Sequence, residues 1–439
     1  MATYDETIAW LQALEVAAGW DLKLERMQAA LARRGHPEEA FPAVHVAGTN
    51  GKGSTAAMLE SMLRAAGHRT GLYTSPHLVD FAERIRAGGR TIPHADVVAL
   101  VAEQREALAR AGIALTHFEF STLIALEWFA RIGIEVGVIE VGLGGRLDAT
   151  NTVRPIATAI TSIALDHEEW LGSDVRLIAL EKAGIAKRSV PMVFGRLEPE
   201  AETAITEHAV AVGVPLTRAG RDGMLDPADG GLTFHGPGGV RREGLALGLE
   251  GAFQRHNAEV ALLLLETVRD RFPVEEPAVR AGLAGVRWPG RLSVVRARPL
   301  VVVDGAHNPA GVDALAAELP RLLGDRRLVL VFAVMVDKAW AVMLDRLLGR
   351  AAEVVVTRVG RRGLDPHMLA DTIGDRRPVH VVGDPRTAVR TGVERASDRD
   401  AVLIAGSLFL AGEAYAEFGS SALFEPWQGW GWNGREPPR

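Results

Sequence analysis

The 439-residue chain contains no cysteine, which excludes disulfides, thiolate zinc sites and a cysteine nucleophile together. Aromatic residues are scarce, at 6% with three tyrosines. A long apolar run is missing too. The longest, Ala401 to Gly412, is interrupted by glycine and serine and falls short of the roughly 20 residues that a membrane-spanning helix needs. Lys plus Arg number 49 against 55 acidic residues, a formal net charge of −6, whereas a nucleic-acid binder concentrates positive charge. The first ten residues carry Asp5 and Glu6 and lack the basic-then-apolar pattern of a secretory leader. Together these absences predict a cytoplasmic protein without nucleic acid or membrane as partner.

What is present is a globular composition, 48% hydrophobic with 47 glycines and 22 prolines, on a chain too long for one ordinary core. Short β-branched runs alternate with amphipathic stretches, the pattern of parallel sheets covered by helices. Strands are expected at 41–46, 70–74, 135–141, 157–163 and 191–194, and helices at 54–66, 95–111, 119–131, 176–183, 199–212 and 255–271. The Gly-rich stretch 214–250 reads as a small β excursion. Val286 to Arg291 contains Pro289-Gly290 and reads as a linker. After it the alternation restarts, with strands at 300–303, 328–334, 353–357, 379–382 and 401–405 and helices at 309–323, 339–349, 366–374, 385–396 and 408–417. The fold class is therefore α/β with two doubly wound domains, 1–289 and 290–439. The tail from Phe424 to Arg439 is expected to be loosely ordered.

The most informative stretch is Val44-His45-Val46-Ala47-Gly48-Thr49-Asn50-Gly51-Lys52-Gly53-Ser54-Thr55. A strand, a glycine-rich turn and a helix start are the parts needed to aim backbone N–H groups at a phosphate. Lys52 adds a point charge for β- and γ-phosphates. The motif is off-pattern: two residues separate Gly48 from Gly51, and Gly53 follows Lys52 where the usual phosphate loop has a magnesium-binding hydroxyl. Magnesium must be held from elsewhere.

This variant loop resembles that of the folylpolyglutamate/dihydrofolate synthases, relatives of the Mur ligases, and further blocks of that family follow in order over nearly the whole chain. They are Tyr73-Thr74-Ser75-Pro76-His77-Leu78, Glu83-Arg84-Ile85, Thr116-His117-Phe118-Glu119, Glu140 to Asn151, and Leu165-Asp166-His167. Glu181-Lys182-Ala183-Gly184-Ile185, Asp304-Gly305-Ala306-His307-Asn308-Pro309 and Gly406-Ser407-Leu408-Phe409 complete the series. The resemblance implies an N-terminal P-loop-type ATP-binding domain, which also takes the pterin, and a smaller C-terminal, Rossmann-like, glutamate-binding domain. The implied activity is ATP-dependent ligation of L-glutamate to dihydropteroate or a reduced folate through an acyl phosphate, by a monomer.

Such a reaction requires a phosphate loop, hard oxygen ligands for Mg²⁺ and cationic clamps. Thr49, Asn50, Gly51, Lys52, Gly53 and Ser54 form the loop. Glu140 closes an apolar strand, where its residues alone read equally as a Mg²⁺ ligand or a solvated charge. Taken alone, Ser75 reads as a turn residue and His167 as a hydrogen-bonded structural histidine. The resemblance assigns Ser75, Glu140 and His167 to two magnesium ions. It also implies a carbamylated Lys182, nucleotide contacts from Asn257, Arg291 and Asp304, and glutamate contacts from His307 and Ser407. Phe118, Glu119 and Asp148 match positions near the pterin, although Phe118 reads equally as a core aromatic. His307 is the candidate base for the attacking amine. One departure is visible: Phe253 precedes Gln254 where the family often has histidine, so that position offers the adenine no hydrogen bond.

Two rivals stand beside this reading. A Mur ligase acting on a nucleotide-sugar peptide would bring a further N-terminal domain, and only about 40 residues precede the strand of the phosphate loop. A P-loop switch without ligase activity would not require the Asp304/His307 cluster.

Overall fold

The computed structural model describes residues 2–18, 23–419 and 423–430. In the first part of the chain eight strands form one sheet: β1 Ala43–Ala47, β2 Thr70–Tyr73, β3 Ile85–Ala87, β4 Arg90–Thr91, β5 Val136–Glu140, β6 Pro155–Ile160, β7 Met192–Phe194 and β8 Leu216–Arg218. Their order is β4-β3-β2-β5-β1-β6-β7-β8, parallel except for the β2-β3-β4 edge. All residues of β1, β2 and β5 are buried, as expected of central parallel strands covered on both faces. The helix Lys52–Ala65 is buried without a break from Gly53 to Leu63, packed between the sheet and the helices Phe253–Val268 and Glu276–Gly285. On the opposite face, His117–Ile132 is buried from Glu119 to Phe129. Two N-terminal helices, Tyr4–Ala18 and Leu24–Arg33, and the β3–β4 hairpin were absent from the sequence reading.

The β excursion is a three-stranded antiparallel sheet of β9 Met224–Ala228, β10 Gly231–His235 and β11 Arg241–Leu245. It sets Leu225, Phe234 and Leu245 into the same core as Leu263. The later strands are β12 Ser293–Ala297, β13 Leu300–Val303, β14 Leu328–Phe332, β15 Glu353–Val356, β16 Val379–Val381 and β17 Ala401–Ala405. They form a six-stranded sheet ordered β12-β13-β17-β14-β15-β16, parallel apart from β12. Alternate residues serve opposite faces: Leu328, Leu330 and Phe332 join one core layer, Val329 and Val331 the other. The expected helices over 309–323 and 408–417 match the observed bounds.

The expectation of a loose tail needs correction, and the linker is more tightly held than its Pro-Gly punctuation suggests. The stretch 286–291 connects the two sheets but is packed, with Val286 buried and the Gly290 N–H donating to the Tyr415 hydroxyl at 3.0 Å. The tail is not loose over 423–430. Its backbone pairs with the edge strand β4, with Thr91 N–H to Glu425 O at 2.9 Å and Trp427 N–H to Thr91 O at 2.7 Å. Trp427 meets Trp128 edge-on at 5.5 Å. Covering an open strand edge and burying aromatic surface together overcome the Gly/Pro-rich composition. Residues 431–439 lie outside the described residues. Among the described residues no helix is long and apolar enough to cross a membrane.

Candidate active site

The carboxyl ends of four strands supply the site in the first domain: β1 leads into Gly48, β2 into Ser75, β5 ends on Glu140, and β6 leads into Thr161 and Asp166-His167. Strand β1 lies between β5 and β6, although the chain continues from it to β2, so the loop after β1 opens at a switch in strand order. That loop is pinned from β6. Thr49 N–H donates to Ser162 O at 2.8 Å, Asn50 N–H to Ser162 Oγ at 2.9 Å, and Thr161 Oγ1 donates to Asn50 O at 2.6 Å. Gly51 has φ 85° and opens the helix Lys52–Ala65. A Cβ there would sit 2.2 Å from Asn257 Oδ1, so both conformation and space require glycine.

No side chain caps this helix. The helices opening after Thr116, Asp174, Asn308 and Ser407 are each capped by a side-chain oxygen. The first N–H groups of the helix at Lys52 have no intrahelical acceptor, and the helix dipole adds positive potential there. Lys52 Nζ donates to Gly48 O and Thr49 O, both at 3.0 Å, which leaves its third proton for an incoming anion. Lys182 Nζ reaches the same Gly48 O at 3.0 Å. Burial, reinforced by Lys52, depresses the Lys182 pKa to about 7. Burial also lowers that of Lys52, against the attraction of Glu140 and Asp166.

Glu140 is buried, and burial raises its pKa against the opposing pull of Lys52 and the Ser75 N–H. One carboxylate oxygen accepts that N–H at 3.1 Å, which ties Ser75 to Glu140. His167 has φ 54°, and burial depresses its pKa to about 4 despite Asp166, so its imidazole is neutral at pH 7. A hydroxyl, a carboxylate and an uncharged imidazole, all lining one cavity, are a donor set that fits a divalent cation whose shell is completed by water and phosphate oxygens. Among the described residues, the His/acid triad able to share an ion through side chains alone is His36, Glu38 and Glu39, none of which lines this cavity.

The second domain closes the same cavity, which has a volume of about 570 Å³. Asn50 and Asn308 exchange amide hydrogen bonds at 3.1 and 3.0 Å. Asn308 Nδ2 also donates to Asp166 at 2.9 Å, and its Oδ1 caps the helix Pro309–Leu323 through Gly311 N–H. Lys338, from the loop after β14, donates to the other Asp166 oxygen at 2.5 Å. Burial would raise the Asp166 pKa, but His307, His167 and Lys338 together hold it far below the usual range. With a lowered folded-state pKa, its contribution to stability is complete above about pH 4 and fades as the pH falls from there. Asp166→Asn should leave the buried Lys338 cation without its counter-charge and destabilise the fold by about 3 kcal/mol or more, read as the change in unfolding free energy by denaturant titration. An unchanged value would remove Asp166 as the anchor of the interdomain contact.

Among the other sequence-predicted residues, Asp304 is buried and accepts Leu292 N–H and Ala306 N–H, both at 2.7 Å, ordering the turns that carry Arg291 and His307. His307 Nδ1 bonds Gly305 O at 2.8 Å, which makes Nδ1 the protonated nitrogen and leaves the Nε2 lone pair available. Burial holds the His307 pKa at about 4. Ser407 caps its helix through Phe409 N–H at 3.1 Å. Asn257 donates to Gln254 at 2.8 Å, and Gln254 reaches Ser54 Oγ at 3.4 Å, linking this helix to the glycine-rich loop. Phe253 packs against the second domain's core.

Phe118 lies against the backbone of Gly142, where a Cβ would come within 2.4 Å of its ring. Glu119 is engaged by Arg26 at 3.0 Å and by the Thr116 N–H at 2.7 Å. Asp148 accepts the N–H groups of Leu143 and Thr150, at 2.8 and 3.0 Å. All of the predicted residues line the one cavity. Asp166 and Lys338 had been given no role. A charged pair, Asp337-Lys338, following an apolar strand is the same signal that singled out Asp304, and it would have found Lys338.

Residues 290–408 match the family described as Mur ligase, glutamate ligase domain. The chain is 37% identical over 402 residues to the dihydrofolate synthase/folylpolyglutamate synthase of Escherichia coli K12, covering 91% of this chain and 92% of that protein. It is 39% identical over 402 residues, or 89% of its length, to a probable bifunctional folylpolyglutamate synthase/dihydropteroate synthase of Haloferax volcanii, and spans 48% of that longer protein. Among solved structures, E. coli FolC in complex with DHPP and ADP superposes with a TM-score of 0.87 at 34% identity, covering 96% of this chain and 99% of the other. The Yersinia pestis folylpolyglutamate synthase/dihydrofolate synthase with AMPPNP and an Mn ion gives 0.85 at 34% identity, covering 95% and 100%. With its uncapped helix after the glycine-rich loop, its second-domain loop at the same cavity and these relatives over nearly its full length, the chain belongs to the family of folylpolyglutamate and dihydrofolate synthases, ligases of the Mur type.

Proposed function

We propose that this protein joins L-glutamate to the carboxylate of dihydropteroate, of a reduced folate, or of both, while ATP is converted to ADP and phosphate. The observation that carries this reading is the meeting of an uncapped helix start at a glycine-rich loop and the Asp304-to-Asn308 loop at one cavity. A carboxylate resists attack by an amine because its leaving group would be oxide. Transfer of the γ-phosphoryl group to it creates an acyl phosphate with a good leaving group, and that transfer depends on positioning and charge neutralisation. In this reading the domain boundary falls at Pro289-Gly290.

The N–H groups of Gly51 to Ser54 and the Lys52 ammonium bind the phosphates. Arg291, Asp304 and Asn257 hold the nucleotide from the linker side, and Phe118, Glu119 and Asp148 border the pterin. Magnesium, held by Ser75, Glu140 and His167 as two ions, would neutralise phosphate charge. His307 and Ser407 receive glutamate. Neutral at pH 7, His307 takes the proton from the glutamate ammonium on Nε2. Since all these groups come from one chain, a monomer suffices. ATP as co-substrate fits work in the cytoplasm.

A carbamate on Lys182 would present oxygen atoms to the second ion. A lysine near pKa 7 is substantially an uncharged amine at neutral pH, the form that reacts with carbon dioxide. Protein stripped of carbon dioxide should therefore regain activity with bicarbonate at about pH 8, and much less at about pH 6, where the amine is protonated. Turnover indifferent to bicarbonate at both pH values would sink the carbamate.

The reading itself is tested by offering dihydropteroate and tetrahydrofolate separately with MgATP and glutamate and following products by mass spectrometry. A product heavier by one glutamyl residue with either acceptor supports it. Phosphate release that neither acceptor stimulates would overturn it and favour a nucleotide switch.

A further inference from the structure

Arg86, on β3, is 3% exposed, yet its Nε and Nη2 have no hydrogen-bond partner. Among the described residues no carboxylate lies within ion-pair distance of it. Its guanidinium instead lies over two aromatic rings, 4.8 Å from the centroid of Trp288 and 4.2 Å from that of Phe424. A buried guanidinium loses its water and needs compensation, which a pair of ring faces supplies through cation–π attraction. The three residues come from three parts of the chain: the edge hairpin of the first domain, the stretch between the sheets, and the segment 423–430 that follows the last helix.

Trp288 continues this stack inward. Its ring lies on the phosphate loop, where a Cβ at Gly53 would approach Trp288 Cζ2 to 2.4 Å. The order is thus Gly53, Trp288, Arg86, Phe424. At its outer end the segment is fastened to β4 by the Thr91 hydrogen bonds, by the Arg90–Glu425 ion pair at 2.8 Å, and by Trp430 Nε1 donating to Ile132 O at 2.5 Å. The segment leaves the second domain and returns to the first, so it straps one onto the other beside the phosphate loop.

We infer that residues 423–430 are a positioning strap: through Phe424 and Arg86 they hold Trp288 against Gly53 and so keep the N–H groups of the phosphate loop aimed at the nucleotide. Phe424, Arg86 and Trp288 are positioning residues that act through the loop. The inference rests on the nucleotide role proposed for that loop.

Phe424→Leu keeps an apolar side chain and removes the ring face, while Phe424→Tyr restores it. The leucine variant should bind AMPPNP with magnesium about 5- to 10-fold more weakly than the parent, raise KM for ATP more than it lowers kcat, and melt near the parent temperature. The tyrosine variant should restore affinity. In nucleotide-free protein, the amides of Gly51 to Ser54 should exchange hydrogen for deuterium faster in the leucine variant alone. Unchanged exchange there, or a lowered melting temperature with unchanged exchange and affinity, overturns the strap. Faster exchange in a protein whose parent form binds no nucleotide would support the strap and sink the nucleotide reading instead.

Discussion

Lys52→Ala is expected to lower acceptor-dependent phosphate release by about 10³-fold, roughly 4 kcal/mol of lost transition-state stabilisation. The magnitude follows from the position of the ammonium. It is half-buried at the start of an uncapped helix, with two protons on the carbonyls of Gly48 and Thr49 and the third left for an anion. Charge that develops on the transferred phosphoryl group would meet this cation in a water-poor pocket, where such an interaction is strongest. Lys52 is also the largest influence opposing the rise in the Glu140 pKa, so its removal should push that carboxyl further toward the protonated form that binds metal poorly. A melting curve run in parallel separates lost catalysis from lost structure. A variant that turns over near the parent rate would dismiss Lys52 as the phosphate clamp.

Glu140→Ala is expected to raise the magnesium concentration needed for half-maximal activity at least tenfold, about 1.4 kcal/mol or more in ion binding. Glu140 contributes the one carboxylate at the end of β5 and orients Ser75 through its backbone N–H. Its loss therefore removes one oxygen donor and loosens another. Activity with saturating magnesium should recover in part, because phosphate oxygens and water complete the shell. If the magnesium titration is unchanged, the ion is held elsewhere. The His36, Glu38 and Glu39 triad is not a substitute, since it does not border the cavity.

Much of this architecture was legible in the chain. Helix 309–323 was readable because Pro309 opens it and Asn308 caps it, and both signals are local. The parallel strands were readable because burial on both faces demands short apolar runs such as Leu328–Phe332. The hairpin of β3 and β4 escaped notice since its strands are three and two residues long, too short for any periodicity. The N-terminal helix Tyr4–Ala18 lacks a strongly amphipathic pattern, and its place is decided by packing against the helix His117–Ile132.

By itself the sequence determined the glycine-rich strand–turn–helix at Gly48 to Ser54, the alternation of strand and helix in two sheets, and the identity of the polar residues at strand ends, because each depends on neighbours a few positions apart. The tertiary structure alone decided which of those residues meet. The Asn50–Asn308 pair joins residues 258 positions apart, Asp166 finds Lys338 across 172, and the tail returns to cover β4. No local pattern encodes such distances. They follow from the strand order that brings carboxyl edges to a common cavity, and from the cost of leaving a buried carboxylate, lysine or arginine without a partner.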